Sequence, residues 1–230
     1  MNGTKVLAIE SWCRARNRAF VRFDYAGHGE SEGEFERLTL SDWIGDATAI
    51  LDTVAEGPQV IVGSSMGAWV MVRLALDRPD RVAGLVGIAA APDFTEDMMW
   101  NIADPQAQAV FLEHKVWRQP SPDGEHETVI TLDLIEDGRK HLVLRAPIPV
   151  TVPVRLIHGA DDRSAPWTAS QQLMERLESE DATLTLLKGG HHRLSRPGDI
   201  AVLLQTLEAL LDQLDAPEDS SARIDARPAR

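Results

Sequence analysis

The sequence predicts an α/β fold, a mostly parallel sheet flanked by helices, and three observations carry that expectation. Short apolar runs of strand type alternate with stretches of helical apolar spacing along most of the 230 residues. Alternation of this kind is what a parallel sheet with helices on both faces requires. One of the runs, Val60-Ile61-Val62, passes straight into Gly63-Ser64-Ser65-Met66-Gly67 and then a helical stretch from Met66 to about Asp77. Strand, Gly-x-Ser-x-Gly and helix together are the sequence form of a nucleophile elbow, which lifts a serine out at a sharp turn. Ser65 is thus the candidate nucleophile, and a Cβ at either flanking glycine is expected to collide with the neighbouring strand or helix. The third observation is that the later Asp-rich and His-rich motifs fall just after strand-like runs, where open sheets place their sites.

The elements follow in order. Lys5 to Arg16 carries Val6, Ile9, Trp12 and Cys13 at helical spacing. Ala19 to Asp24 reads as a short buried strand, followed by the turn Tyr25-Ala26-Gly27-His28-Gly29. Thr39 and Asp42 have capping-box spacing ahead of a helix with Trp43, Ala47, Ile50, Leu51 and Val54. After the Ser65 strand and its helix, strands are expected at Arg81–Ala90, Val154–Ile157 and Ala182–Leu187, with helices at Thr168–Glu178 and Asp199–Leu214. The stretch from Phe94 to Val150 breaks the rhythm: a helix-like Ala107–Trp117, a polar turn at Pro120–Gly124, and an unassigned Val129–Leu144. It is read as a lid insertion (94–150) in a core formed by 1–93 and 151–215, with Trp100, Phe111 and Trp117 offered as pocket wall. The tail from Ala216 to Arg230 has almost no large apolar residue and reads as disordered.

Bulk properties exclude several classes. A formal net charge of −13 without a basic stripe argues against nucleic acid. Cys13 is the single cysteine, so neither a disulfide framework nor a cysteine-based zinc site is available. No apolar run reaches the length of a membrane span and no leader pattern opens the chain, so a soluble, cytoplasmic protein is expected. Gly27, Gly29 and Gly33 do not have the spacing of a dinucleotide loop, and no His-Glu-x-x-His pattern occurs, so no cofactor and no metal are expected.

A serine hydroxyl needs a base to take its proton, and the base needs a third group to fix its tautomer. Two motifs after strands supply both: His158-Gly159-Ala160-Asp161-Asp162 and Gly189-Gly190-His191-His192-Arg193. Each offers a doublet, and spacing alone leaves both members open. His28 and His158 are placed in turns and read as structural, and Trp69 as core.

Five stretches carry a resemblance: Arg22-Phe23-Asp24-Tyr25, Gly63-Ser64-Ser65-Met66-Gly67-Ala68-Trp69, Pro147-Ile148-Pro149-Val150, Asp161-Asp162-Arg163-Ser164-Ala165-Pro166-Trp167 and His191-His192-Arg193-Leu194. With Met1-Asn2-Gly3-Thr4-Lys5 added, the chain resembles the α/β-hydrolase superfamily, and within it the mitochondrial palmitoyl-protein thioesterases and their bacterial relatives. The resemblance implies Asp162 as the acid and His192 as the base, with Asp93 a lesser alternative acid. It implies an acyl-enzyme on Ser65, formed from an ester or thioester of a small molecule or an acylated protein, with the Met66 N–H donating to the oxyanion. A small-molecule carboxylesterase is the neighbouring alternative. In such enzymes a further strand lies between the Ala19 and Ser65 strands, and its loop gives a second oxyanion donor. Only Met1-Asn2-Gly3 matches that connection. The expectation is an N-terminally truncated hydrolase fold whose start falls at an internal methionine. A short form with impaired catalysis, acting as an interaction protein, is the alternative. Oligomeric state is not legible.

Overall fold

The computed structural model describes residues 2–120 and 127–216. The residues 217–230 of the expected tail, and most of the polar turn at 120–124, lie outside the described residues. Four parallel strands form the sheet: β1 (Gln59–Ser64), β2 (Val82–Ile88), β5 (Val154–Gly159) and β6 (Ala182–Leu187), in that spatial order. Between β2 and β5 the chain leaves the sheet and forms an antiparallel pair, β3 (Val116–Pro120) with β4 (Glu127–Thr131).

Helices cover both faces, and the strand side chains divide between them as the two-residue period demands. On one face α1 (Thr4–Ala15) and α7 (Pro197–Asp215) pack Ile9, Trp12, Leu203, Leu207 and Leu210 against Val86, Ile88 and Ile157. On the other, α2 (Leu40–Thr53), α3 (Met66–Asp77) and α6 (Thr168–Arg176) bring Trp43, Trp69, Met71 and Leu173 against Leu85, Val154 and Leu156. Burial on both sides explains why β2 reads as a continuous apolar run. Trp69 is fully buried, in the core role expected of it.

The segment Ala19–Asp24 is not a strand. Among the described residues no strand pairs with it, and a cavity of about 420 Å³ lined by Phe20, Phe23, Val62 and Ser65 separates it from β1. A backbone needs a partner 4.7–4.9 Å away to form a ladder, and here the nearest sheet edge stands across that cavity. The apolar composition of the segment is spent on packing instead: Phe23 sits edge-on to Tyr25 at 5.0 Å and joins the larger core.

In the region read as an insertion, a π-helical turn (Thr95–Trp100) leads to α4 (Pro105–His114), started by an Asp104 side chain that accepts the Ala107 N–H. Trp117 belongs to β3 rather than to the expected helix, because Lys115 takes a left-handed conformation (φ 62°) and ends α4. Phe111, 2% exposed, lies between Trp100 (6.3 Å) and Trp117 (5.8 Å) in two tilted ring contacts. None of the three lines the 420 Å³ cavity at Ser65 or the 540 Å³ cavity beside His192.

The unassigned stretch resolves into the end of β4, then α5 (Leu132–Gly138), whose Asp137 fastens it to α2. Both the backbone N–H and the hydroxyl of Ser41 donate to Asp137, at 2.7 and 2.8 Å, and Lys140 adds an ion pair. Burial alone would raise the Asp137 pKa, but these donors outweigh it and bring it down to about 2. The unfolded carboxylate titrates near 4, so its stabilisation is complete above that pH and is lost as pH falls toward 2. Asp137→Asn is expected to cost about 1–3 kcal/mol at pH 7. In urea titrations the gap from wild type should narrow between pH 5 and pH 3, and a gap independent of pH would refute the assignment.

Candidate active site

The turn from β1 into α3 is held by backbone proximity. A Cβ on Gly63 would fall inside contact distance of the Gly67 carbonyl, so that position admits only glycine. Gly67 does not share the restriction: a Cβ there meets only the Tyr25 hydroxyl, at 4.0 Å. The expected clash at the second glycine is therefore absent, because Gly67 and Tyr25 line the 420 Å³ cavity. Ser65 itself sits at φ 56°, ψ −121° and is fixed by its N–H to the Ile88 carbonyl and its own carbonyl to the Ala68 N–H. That conformation is costly for a residue with a side chain and recurs at functional turns. Met66 opens α3, so its N–H has no partner within the helix and adds to the positive end of the helix dipole.

The loops after β5 and β6 are brought together by two more glycines. A Cβ on Gly159 would run into the Gly190 carbonyl, and the Asp161 N–H donates to that same carbonyl at 2.9 Å. This contact sets Asp162 beside His192. His192 Nδ1 lies 2.7 Å from Asp162 Oδ2, and His192 Nε2 lies 2.9 Å from Ser65 Oγ. Three residues spread over 128 positions thus form one line of hydrogen bonds at the C-terminal ends of three strands.

The doublets separate by burial. The Asp162 side chain is fully buried, whereas Asp161 is exposed. His191 is exposed and directs Nδ1 toward the Asp161 carbonyl at 3.3 Å, away from Ser65. Asp162 Oδ1 accepts the N–H groups of Ser164 (2.8 Å) and Ala165 (3.0 Å). Burial would raise its pKa, but bonds from His158, His192 and Ala165 outweigh that and hold it well below the usual carboxylate range. Asp93 lies elsewhere in function: fully buried at φ 54°, it accepts the N–H groups of Val143 and Leu144 and has no bond to His192.

His158 is not in a turn. It lies within β5, fully buried, with Nε2 3.1 Å from Asp162 Oδ2 and Nδ1 2.7 Å from Ser170 Oγ. The sequence carried a signal for this contact in the spacing of His158 to Asp162, one strand end to the turn beyond it. His28 does pack structurally, edge-on to Tyr25, Phe35 and Trp43. Lys5 on α1 donates to the Arg193 carbonyl, tying the base-bearing loop to the first helix, and burial together with Arg193 lowers its pKa to about 8. A cavity of about 540 Å³, walled by Asp161, Arg163, Arg193 and Arg196, lies beside His192.

Comparison with known proteins agrees with the architecture. The profile described as "Alpha/beta hydrolase family" matches residues 13–203. The chain is similar to the palmitoyl-protein thioesterase ABHD10, mitochondrial, of Bos taurus, at 40% identity over 215 residues, covering 93% of this chain and 70% of the relative. The solved alpha/beta hydrolase domain-containing protein 10 from mouse superposes with a TM-score of 0.88 at 40% identity, over 93% of this chain and 86% of that one. A solved structure from Agrobacterium vitis S4 gives 0.86 at 36% identity, over 91% and 83%. These findings correct one expectation. The names of the bovine, mouse and human relatives place them in the mitochondrion, so likeness points there rather than to the cytoplasm inferred from the lack of a leader pattern.

Proposed function

Because the chain belongs to the alpha/beta hydrolase family, we propose that it is a serine hydrolase, cleaving carboxylic ester or thioester bonds through an acyl-enzyme on Ser65. The observation that carries this reading is the unbroken Ser65–His192–Asp162 line of hydrogen bonds. His192 Nε2 takes the hydroxyl proton as Ser65 Oγ attacks the substrate carbonyl carbon. Asp162 holds Nδ1–H in place and stabilises the imidazolium. The tetrahedral oxygen receives the Met66 N–H at the positive end of α3. His192 then gives its proton to the departing alkoxide or thiolate, and the same groups activate water against the acyl-serine.

Within that class an acylated protein thioester is the favoured substrate, supported by the thioesterase name of relatives that are 39–40% identical. The test combines a fluorophosphonate probe with two substrates, a palmitoyl-peptide thioester and a short-chain phenyl ester. Adduct mapped to Ser65 and turnover of the thioester are expected. Labelling with turnover of the phenyl ester alone would move the assignment to a small-molecule carboxylesterase. A folded protein with neither adduct nor turnover would overturn the hydrolase reading.

A further inference from the structure

We propose that His158 is a positioning residue for the acid, forming with Ser170 a buried relay that orients Asp162 toward His192; this rests on the hydrolase reading above. Asp162 has two oxygens with separate duties. Oδ1 is held by the Ser164 and Ala165 N–H groups, which fixes one end of the carboxylate to its own turn. Oδ2 is the oxygen that His192 uses, and its other donor is His158 Nε2. Without His158, the carboxylate keeps the turn contacts and can swing about Oδ1, so that Oδ2 loses its aim.

The protonation pattern of His158 follows from its neighbours. Nε2 faces two acceptors, Asp162 Oδ2 and the Ala165 carbonyl, both at 3.1 Å, so the proton of the neutral ring resides there. Nδ1 is then an acceptor, and Ser170 Oγ at 2.7 Å is the hydroxyl that donates to it. Ser170 stands on α6 and is fully buried, as is His158. Its hydroxyl can donate or accept, so it satisfies Nδ1 in the tautomer that the two acceptors at Nε2 impose. The relay thus links α6 to the acid through β5, and every polar atom of the His158 ring has a partner. Buried networks of this kind hold one geometry because any alternative leaves a group unsatisfied.

The test measures turnover per fluorophosphonate-titrated Ser65 in the purified chain, so that misfolded molecules drop out of the count. His158→Ala is expected to lower kcat per titrated site roughly 10–100-fold, the worth of one hydrogen bond to a charged group, with KM within about twofold. Ser170→Ala should lower it severalfold. His158→Gln should recover most of the loss, because its amide nitrogen stands as many bonds from Cα as Nε2 does. Fewer titratable sites with unchanged turnover per site, or a Gln variant as poor as Ala, would reduce His158 to a packing residue and overturn the proposal. Failure of the hydrolase reading is distinct, since wild type would then give no Ser65 adduct at all.

Discussion

Ser65→Ala is expected to yield a folded protein whose ester and thioester turnover is lower by roughly 10⁴- to 10⁶-fold, with whatever rate remains coming from binding and the oxyanion donor. The size follows from the line of hydrogen bonds. His192 and Asp162 have no nucleophile to serve once Oγ is gone, and their separate contributions vanish with it. The fold is expected to survive because the Ser65 backbone, through Ile88 and Ala68, holds the turn, while its side chain adds only the bond to His192. The same backbone gives the prediction a second arm. At φ 56° and ψ −121° Ser65 occupies a region that suits glycine. Ser65→Gly should lose activity equally while gaining about 1–3 kcal/mol of stability by releasing strain. A Gly variant no more stable than Ala in denaturant titration would mean the elbow is not strained. Either variant retaining substantial turnover would remove Ser65 from the mechanism.

How far the sequence disclosed this arrangement depends on the kind of signal each element carries. The strand over Ala182–Leu187 was readable residue for residue, and α2 announced itself through Thr39 and Asp42, whose carboxylate accepts the Thr39 N–H at 2.8 Å. The boundary of α4 was not readable, because the left-handed residue that ends it is Lys115, where a glycine would have given warning. Val129–Leu144 resisted assignment because it holds two periods in succession, with the switch at Thr131, whose hydroxyl caps α5 through the Leu134 N–H. Ala19–Asp24 has strand composition yet no ladder, since pairing depends on what lies alongside and not on composition. At the site, order and spacing delivered Ser65 and two doublets. The choice of Asp162 and His192 came from resemblance, and burial is the physical reason for it. The four-residue spacing of His158 to Asp162 was legible, whereas the bond of His158 to Ser170 on α6 was not, because local sequence carries no sign of a tertiary partner.

Gly159→Ala, far from Ser65 in sequence, is expected to reduce kcat by roughly 100-fold or more. The last residues of β5 and β6 run in register, His158 beside Leu186 and Gly159 beside Leu187, and the Ala160 N–H continues the pairing to the Leu187 carbonyl. Beyond them Gly159 meets Gly190 backbone to backbone, and the added methyl would occupy the place of the Gly190 carbonyl. No side chain can rotate to make room, so the loops must part. His192 lies two residues past Gly190 and Asp162 three past Gly159, so the parting acts directly on the 2.7 Å bond between them. A displacement of about 1 Å in such an arrangement costs on the order of 10² in rate. Overpacking of this kind also costs about 1–3 kcal/mol of stability. Gly198→Ala is the control, because a Cβ there meets nothing within 4 Å, and it should leave both rate and stability in place. Gly67→Ala should likewise keep the fold, given the 4.0 Å clearance to Tyr25. If Gly159→Ala labelled and turned over like wild type, the acid and base loops would not depend on their glycine contact.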